Sequence, residues 1–233
     1  MVANFSLAKY HHCVDTACTI QANGQVTNVV GLVIEAQGPV SRLGTVCDIY
    51  TKGDSHKISA EVLGFKDNKV LMMPLAEIRG IGPGCPIVAR QHRAVIPVGP
   101  GLLGRVIDGL GNPIDNKGPI AVESEYPIYG TPINPMTRKR ISEPLDLGIR
   151  AINGLLSVGC GQRMGIFSGS GVGKSVLLGM IARKTSADVN VIALIGERGR
   201  EVNEFIEKEL GEKGLERSVI VVATSDHLPL IRM

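Results

Sequence analysis

Aromatic side chains are nearly absent from this sequence. They make up 3% of it, with no tryptophan, so any core must be filled by aliphatic groups and closely apposed backbone. Also missing is an uncharged apolar run of the ~18 residues that a membrane-spanning helix needs. Met1 to Tyr10 lacks the basic-then-apolar layout of a secretory leader, and the protein is expected to stay inside the cell. The net charge is only +3, and the basic residues are scattered. That excludes the clustered basic face used on nucleic acid. The five thiols, Cys13, Cys18, Cys47, Cys85 and Cys160, are odd in number, contain no CxxC pair and read as reduced. His11, His12, Cys13 and Cys18 match no zinc spacing and read as ordinary residues near a terminus.

What is present is glycine, 29 of 233 residues, in a chain that is 44% hydrophobic. That length accommodates one or two globular domains of about 100–200 residues each. Residues 1–24 read as a leader, with Leu7, Tyr10, His11 and Val14 at helical spacing for a short amphipathic helix. Such a helix serves either as a packed terminus or as a docking element for a partner. Residues 25–92 read as short strands: Val26 to Glu35, Thr45 to Tyr50, Lys57 to Phe65 and Lys69 to Met73. Turn residues separate them at Lys52-Gly53-Asp54, Lys66-Asp67-Asn68 and Gly80 to Gly84. This spacing predicts a small all-β barrel or sandwich.

Residues 93–233 form the second predicted domain. It opens with glycine- and proline-rich loops and a brief strand over Gly104 to Ile107. A helix is expected over Leu147 to Leu156, then strand Arg163–Phe167, helix Ser175–Lys184, strand Val189–Ile195, helix Glu201–Leu210 capped by Gly211, and strand Ser218–Ala223. Alternation at this spacing predicts a parallel sheet with crossover helices. The strands are almost wholly apolar, the pattern of strands covered on both faces.

Between the first of these strands and its helix lies Gly169-Ser170-Gly171-Val172-Gly173-Lys174-Ser175. Glycines there let successive N–H groups turn around an anion, and the helix N-terminus adds its positive end. The loop is a candidate phosphate-binding site formed by Ser168 to Val176. Lys174 is placed to reach β- and γ-phosphates and Ser175 to ligate Mg²⁺, which makes Mg-ATP the expected ligand. The strict G-x-x-x-x-G-K-[ST] spacing asks for glycine at the position of Ser168. A second feature, Gly196-Glu197-Arg198-Gly199-Arg200-Glu201, follows the next parallel strand and so emerges at the same carboxyl edge. Glu197 is the candidate for polarising the attacking water. Arg198 is a candidate for ordering Glu197 or for contacting a neighbouring subunit.

The run from Ile141 to Leu156, then Gly161 to Phe167, the glycine loop, and Leu194 to Val202 together resemble the flagellum-specific and type III secretion ATPases. These are relatives of the catalytic subunit of rotary ATP synthases. Gly31 to Ala36 and Leu103 to Gly111 fit as well, and the former leans toward the flagellar branch. The resemblance implies an N-terminal β-barrel followed by a RecA-like P-loop ATPase domain, assembled as a homo-hexamer. It implies ATP hydrolysis coupled to chaperone release and export of substrate proteins. It further implies stator, regulator and gate proteins as partners, with the cytoplasmic protein held at the periphery of an inner-membrane export apparatus. In that family serine is accepted at the Ser168 position, and glutamate at the Glu197 position marks the hydrolysing lineage. The family continues past Thr224-Ser225-Asp226 to a Walker B aspartate and an arginine finger. The chain is therefore expected to be a fragment with an incomplete ATPase domain and impaired hydrolysis. Three other readings compete. A non-catalytic nucleotide-binding or assembly subunit is supported by the expected truncation and opposed by Glu197. A hexameric RNA translocase is opposed by the lack of aromatics among residues 25–90, which hold only Tyr50 and Phe65. A metabolic kinase is opposed by the barrel and by the Gly-Glu-Arg turn.

Overall fold

The computed structural model describes residues 22–51, 57–93, 95–128, 130, 132–169 and 171–232. The leader helix, the Lys52–Asp54 turn and Ser170 fall outside them. The chain divides into two compact units after Ala94.

The first unit is a closed antiparallel barrel. Its strands are β1 (Asn23–Val30), β2 (Val33–Gln37), β3 (Thr45–Tyr50), β4 (Lys57–Lys66), β5 (Lys69–Pro74) and β6 (Pro86–Arg93), in spatial order β1-β2-β5-β4-β3-β6. Alternating residues turn inward, as in β5, where Val70, Met72 and Pro74 are buried. Val26, Ile34, Ala36, Cys47, Ile49, Ala60, Val62, Met72 and Ile87 meet inside. The single strand expected over Val26 to Glu35 is two strands. Gly31, at φ +59, reverses the chain, and Val30 pairs with Val33. The β4–β5 hairpin turns on Asp67 and Asn68 at φ 48 and 62, the left-handed pair that a two-residue hairpin requires. Strand β6 was not anticipated, because Pro86, Arg90 and Gln91 break an alternating apolar pattern. It closes the barrel by pairing with both β1 and β3.

A charged group enters the barrel wall. Asp48 is buried and accepts hydrogen bonds from Arg90 Nη2 at 2.7 Å, Ser59 Oγ at 3.0 Å and Lys57 Nζ at 3.2 Å. Burial alone raises its pKa, yet these donors outweigh burial and hold the carboxyl below its ordinary value. The same burial, helped by the Asp48 charge, pushes the neighbouring Cys47 thiol up to about 11, so it stays protonated and packs as a small apolar group.

The second unit is built on three parallel strands in the order β12-β13-β8: β8 (Val106–Asp108), β12 (Asn190–Ile195) and β13 (Ser218–Ala223). Two short antiparallel pairs flank it. These are β7 (Val95–Val98) with β9 (Ser124–Pro127), and β10 (Pro144–Leu145) with β11 (Val158–Gly159). Helices α1 (Arg150–Leu155), α2 (Lys174–Lys184), α3 (Gly199–Glu204) and α4 (Gly211–Glu216) complete it, with a π-helical turn over Phe205–Leu210. The apolar face predicted for Glu201–Leu210 is buried: Val202, Phe205 and Leu210 pack with Val106, Ala182, Leu194, Ile220 and Val222. Gly211 stands at the C-cap of the Phe205–Leu210 turn, as expected. It sits at φ +65, and the chain resumes a helical turn through Glu216, because Leu215 carries the apolar stripe onward against the same core.

Two further expectations are corrected. Arg163–Phe167 makes no ladder: no strand among the described residues lies beside it to exchange hydrogen bonds, and Phe167 is 96% exposed. Strand β12 is covered on one face only. Leu194 is buried, whereas Val191 and Ile195 are exposed.

A second internal ion pair ties the loops to β8. Arg105 Nε donates to Asp115 Oδ2 at 2.7 Å, and the side chains are 12% and 6% exposed. The Arg105 guanidinium, with N–H groups of Val106 and Lys117, holds the Asp115 carboxyl well below the usual carboxylate range despite burial. A carboxyl with a lowered folded pKa stabilises the fold above its unfolded value, about 3.9. That contribution is lost as pH falls through the folded value. Asp115→Asn should therefore flatten the decline of the urea midpoint on acidification below about pH 4, compared with the wild-type chain. In the barrel, Ile49 is fully buried, and Ile49→Ala should cost about 2–5 kcal/mol by denaturant unfolding.

Candidate functional site

Helix α2 is held firmly at its C-terminal end. Arg217 donates to the carbonyls of Ala182, Thr185 and Ala187 at 2.9, 2.8 and 3.1 Å. A guanidinium there satisfies carbonyls that lack intrahelical partners and complements the negative end of the helix. From the other side, the Asp146 carbonyl accepts from Thr185 Oγ1 at 3.0 Å and from the Ser186 N–H at 2.9 Å. The Asp146 carboxylate accepts from the Gly148 N–H and from Asn153 Nδ2, each at 2.6 Å, and these bonds keep its pKa low. Midway, Gly179 is buried, and a Cβ there would meet the Glu209 carbonyl oxygen at 2.8 Å. Glycine is the residue that lets α2 approach the π-helical turn so closely.

The N-terminal end is the opposite. Gly173 precedes α2 at φ 93, ψ 17, with no side-chain cap and no acidic residue in the first turn. The first backbone hydrogen bond of the helix runs from the Leu177 N–H to Gly173 O at 2.9 Å, so the preceding N–H groups have no helical acceptor. Gly171 and Gly173 have φ +78 and +93, and a Cβ at Gly169, Gly171 or Gly173 would meet nothing within 4 Å. An uncapped helix start with uncommitted N–H groups, preceded by two left-handed glycines, is chemically suited to an anion. Lys174 and Ser175 open the helix, and both are exposed, as are Ser168, Gly169, Val172 and Val176.

Glu197 arrives from β12. After Ile195 the chain turns at Gly196, φ +76. The Gly196 N–H donates to Ala223 O at 2.7 Å, and the Ser225 N–H donates to Glu197 O at 3.0 Å. The turn is thus fastened to the carboxyl end of β13. This places Glu197 Oε1 3.9 Å from Lys174 Nζ. Two residues that the sequence separates are therefore brought together. Arg198 is not drawn in: its Nη1 lies 3.9 Å from Glu201 Oε1, on an exposed pair. Sequence reasoning missed Arg217 and Asp146, whose role is to hold α2. Neither carries a local signature, because each acts on a helix end about 30 residues or more away in the chain.

A parallel sheet, a glycine loop, a lysine at the following helix start and a carboxylate at the end of the next strand in the chain together define a P-loop nucleotide-binding domain. Residues 26–90 match the ATP synthase alpha/beta family, beta-barrel domain, and residues 148–233 match its nucleotide-binding domain. Together these segments cover well over half of the chain, and the protein belongs to that family. It is 50% identical over 228 residues to the flagellum-specific ATP synthase of Bacillus subtilis, covering 95% of this chain and 51% of that one. It is 47% identical over 209 residues to the type 3 secretion system ATPase of Xanthomonas euvesicatoria, covering 90% and 47%. The assembled ATPase EscN of the enteropathogenic E. coli type III secretion system superposes with a TM-score of 0.80 at 42% identity, covering 90% of this chain and 50% of that chain. The resemblance read from the motifs is borne out, and the chain spans about half the length of these relatives.

Gly148 tests the anchoring of α2. It has φ +68, and a Cβ there would reach the Lys184 carbonyl oxygen at 2.8 Å. Gly148→Ala should lower the stability of the second unit by about 1–3 kcal/mol in denaturant unfolding.

Proposed function

We propose that this chain provides the barrel and the nucleotide-binding face of a protein-export ATPase that hydrolyses Mg-ATP. The observation that carries the reading is the approach of Lys174 to Glu197, 3.9 Å, beside an open and uncapped glycine loop. In this reading the loop from Ser168 to Val176 receives the phosphates, Lys174 supplies a fixed positive charge, and the Ser175 hydroxyl holds Mg²⁺. The metal, when bound, neutralises phosphate charge during transfer. Glu197 orients and accepts a proton from water at the carboxyl edge of the sheet. Arg198 stays on its exposed pair with Glu201 and is assigned to contact with a neighbouring subunit.

The names of its relatives support a role in flagellar or type III protein export. EscN has been solved assembled and with its central stalk EscO. By analogy we propose assembly as a homo-hexamer. Stator, regulator and gate proteins and chaperone–substrate complexes are the proposed partners, at the cytoplasmic periphery of a membrane-embedded apparatus. A glutamate at position 197 favours hydrolysis over mere nucleotide binding.

Binding is the property to test first. Titration calorimetry with Mg-ATP should give saturable binding by the wild-type chain. Lys174→Ala should weaken it at least about tenfold, the loss of about 1.4 kcal/mol or more expected when a charge-assisted contact to phosphate is removed. Unchanged binding in the variant would remove Lys174 from the site.

A further inference from the structure

Strand β13 carries a pin at each end. Arg217, just before it, clamps the C-terminal end of α2 through three carbonyls. Ser225, just after it, donates from its N–H to the Glu197 carbonyl. The helix that presents Lys174 and the turn that presents Glu197 are therefore fixed to one strand. Their side-chain pairing at 3.9 Å follows from that shared frame. Lys208 and Arg198 already have other carboxylates, Glu204 and Glu201 respectively. Among the described residues, Lys174 is the cation paired with Glu197.

We infer that Glu197 is an internal counter-ion for Lys174, displaced when a nucleotide phosphate arrives. This rests on the reading that Lys174 binds phosphate. While the loop holds no phosphate, the carboxylate partly neutralises the ammonium. A phosphate oxygen then competes for the same cation, and its negative charge repels the carboxylate. Nucleotide binding and release of Glu197 are thus linked: the pair lowers phosphate affinity by what the pair itself is worth, and frees the carboxylate only once phosphate is seated. The side chains of Lys174 and Glu197 are 44% and 36% exposed, so the linkage is modest and sensitive to salt.

The test is calorimetric measurement of Mg-ADP affinity on the whole chain, an equilibrium reading that involves no turnover. Glu197→Gln removes the competitor and should tighten Mg-ADP by about two- to five-fold at low ionic strength, the range expected for an exposed pair. Glu197→Ala serves as a second variant, with thermal melts confirming that both fold. The gain should shrink at about 1 M salt, where the screening length is roughly 3 Å. Glu201→Gln removes the same charge four residues away and should leave the affinity unchanged. Equal tightening by Glu201→Gln would reduce the effect to the general field and overturn the inference. No tightening by either Glu197 variant, with wild-type binding intact, would also overturn it while leaving the phosphate site in place. Absence of saturable wild-type binding would instead sink the reading of the loop, and the counter-ion role with it.

Discussion

Anchoring helix α2 by its rear end is the constraint from which the site follows. A helix start can serve an anion only if its N–H groups remain uncommitted, so the fold must not secure the helix there. It is secured instead at the far end, by the Arg217 guanidinium on three carbonyls and by the Asp146 carbonyl accepting from Thr185 and Ser186. Gly179 allows the π-helical turn to pack against the middle of the helix. The N-terminal turn is left without a cap or an acid, and the positive end of the helix faces solvent at the glycine loop.

The two units solve the problem of exposed sheet edges differently. The barrel has none: β6 closes on β1, so each strand has a partner on either side. Its buried charge, Asp48, is surrounded by donors and stays ionised. In the second unit β13 is central and pairs on both sides, while among the described residues β12 pairs only with β13, and its Val191 and Ile195 are exposed. The site lies where this sheet ends. Glu197 emerges from the less covered strand, but its backbone is fastened to the central one. The Glu197 carboxylate gains a fixed position from such an arrangement while its side chain stays wet.

Much of this was legible in the chain. Alternation of apolar residues with Gly, Asp and Asn turns marks β3, β4 and β5 almost to the residue, because one face of each strand must enter a core. The strand–helix rhythm marks β12, β13 and α2. The glycine loop and Glu197 stand out because their residue types and spacing are close to those that a phosphate-binding reading asks for. The reading went astray where the outcome depended on a partner. Val26 to Glu35 is uniformly β-forming, and only the φ of Gly31 splits it. Arg163–Phe167 has the composition of a core strand, but a strand exists only beside another, and none stands there among the described residues.

Local chemistry is written in neighbouring residues: which segments favour strand or helix, where the backbone tolerates left-handed turns, and which loop suits a phosphate. These depend on residues within a few positions of one another, so spacing suffices to reveal them. Tertiary structure alone decided that β6 closes the barrel, that Arg217 and Asp146 hold α2, and that Lys174 lies 3.9 Å from Glu197. Each of these joins groups far apart in the chain, through hydrogen bonds and charges that act over a few ångströms of space. Such forces have no signature in sequence distance, and only the folded path brings their partners within reach.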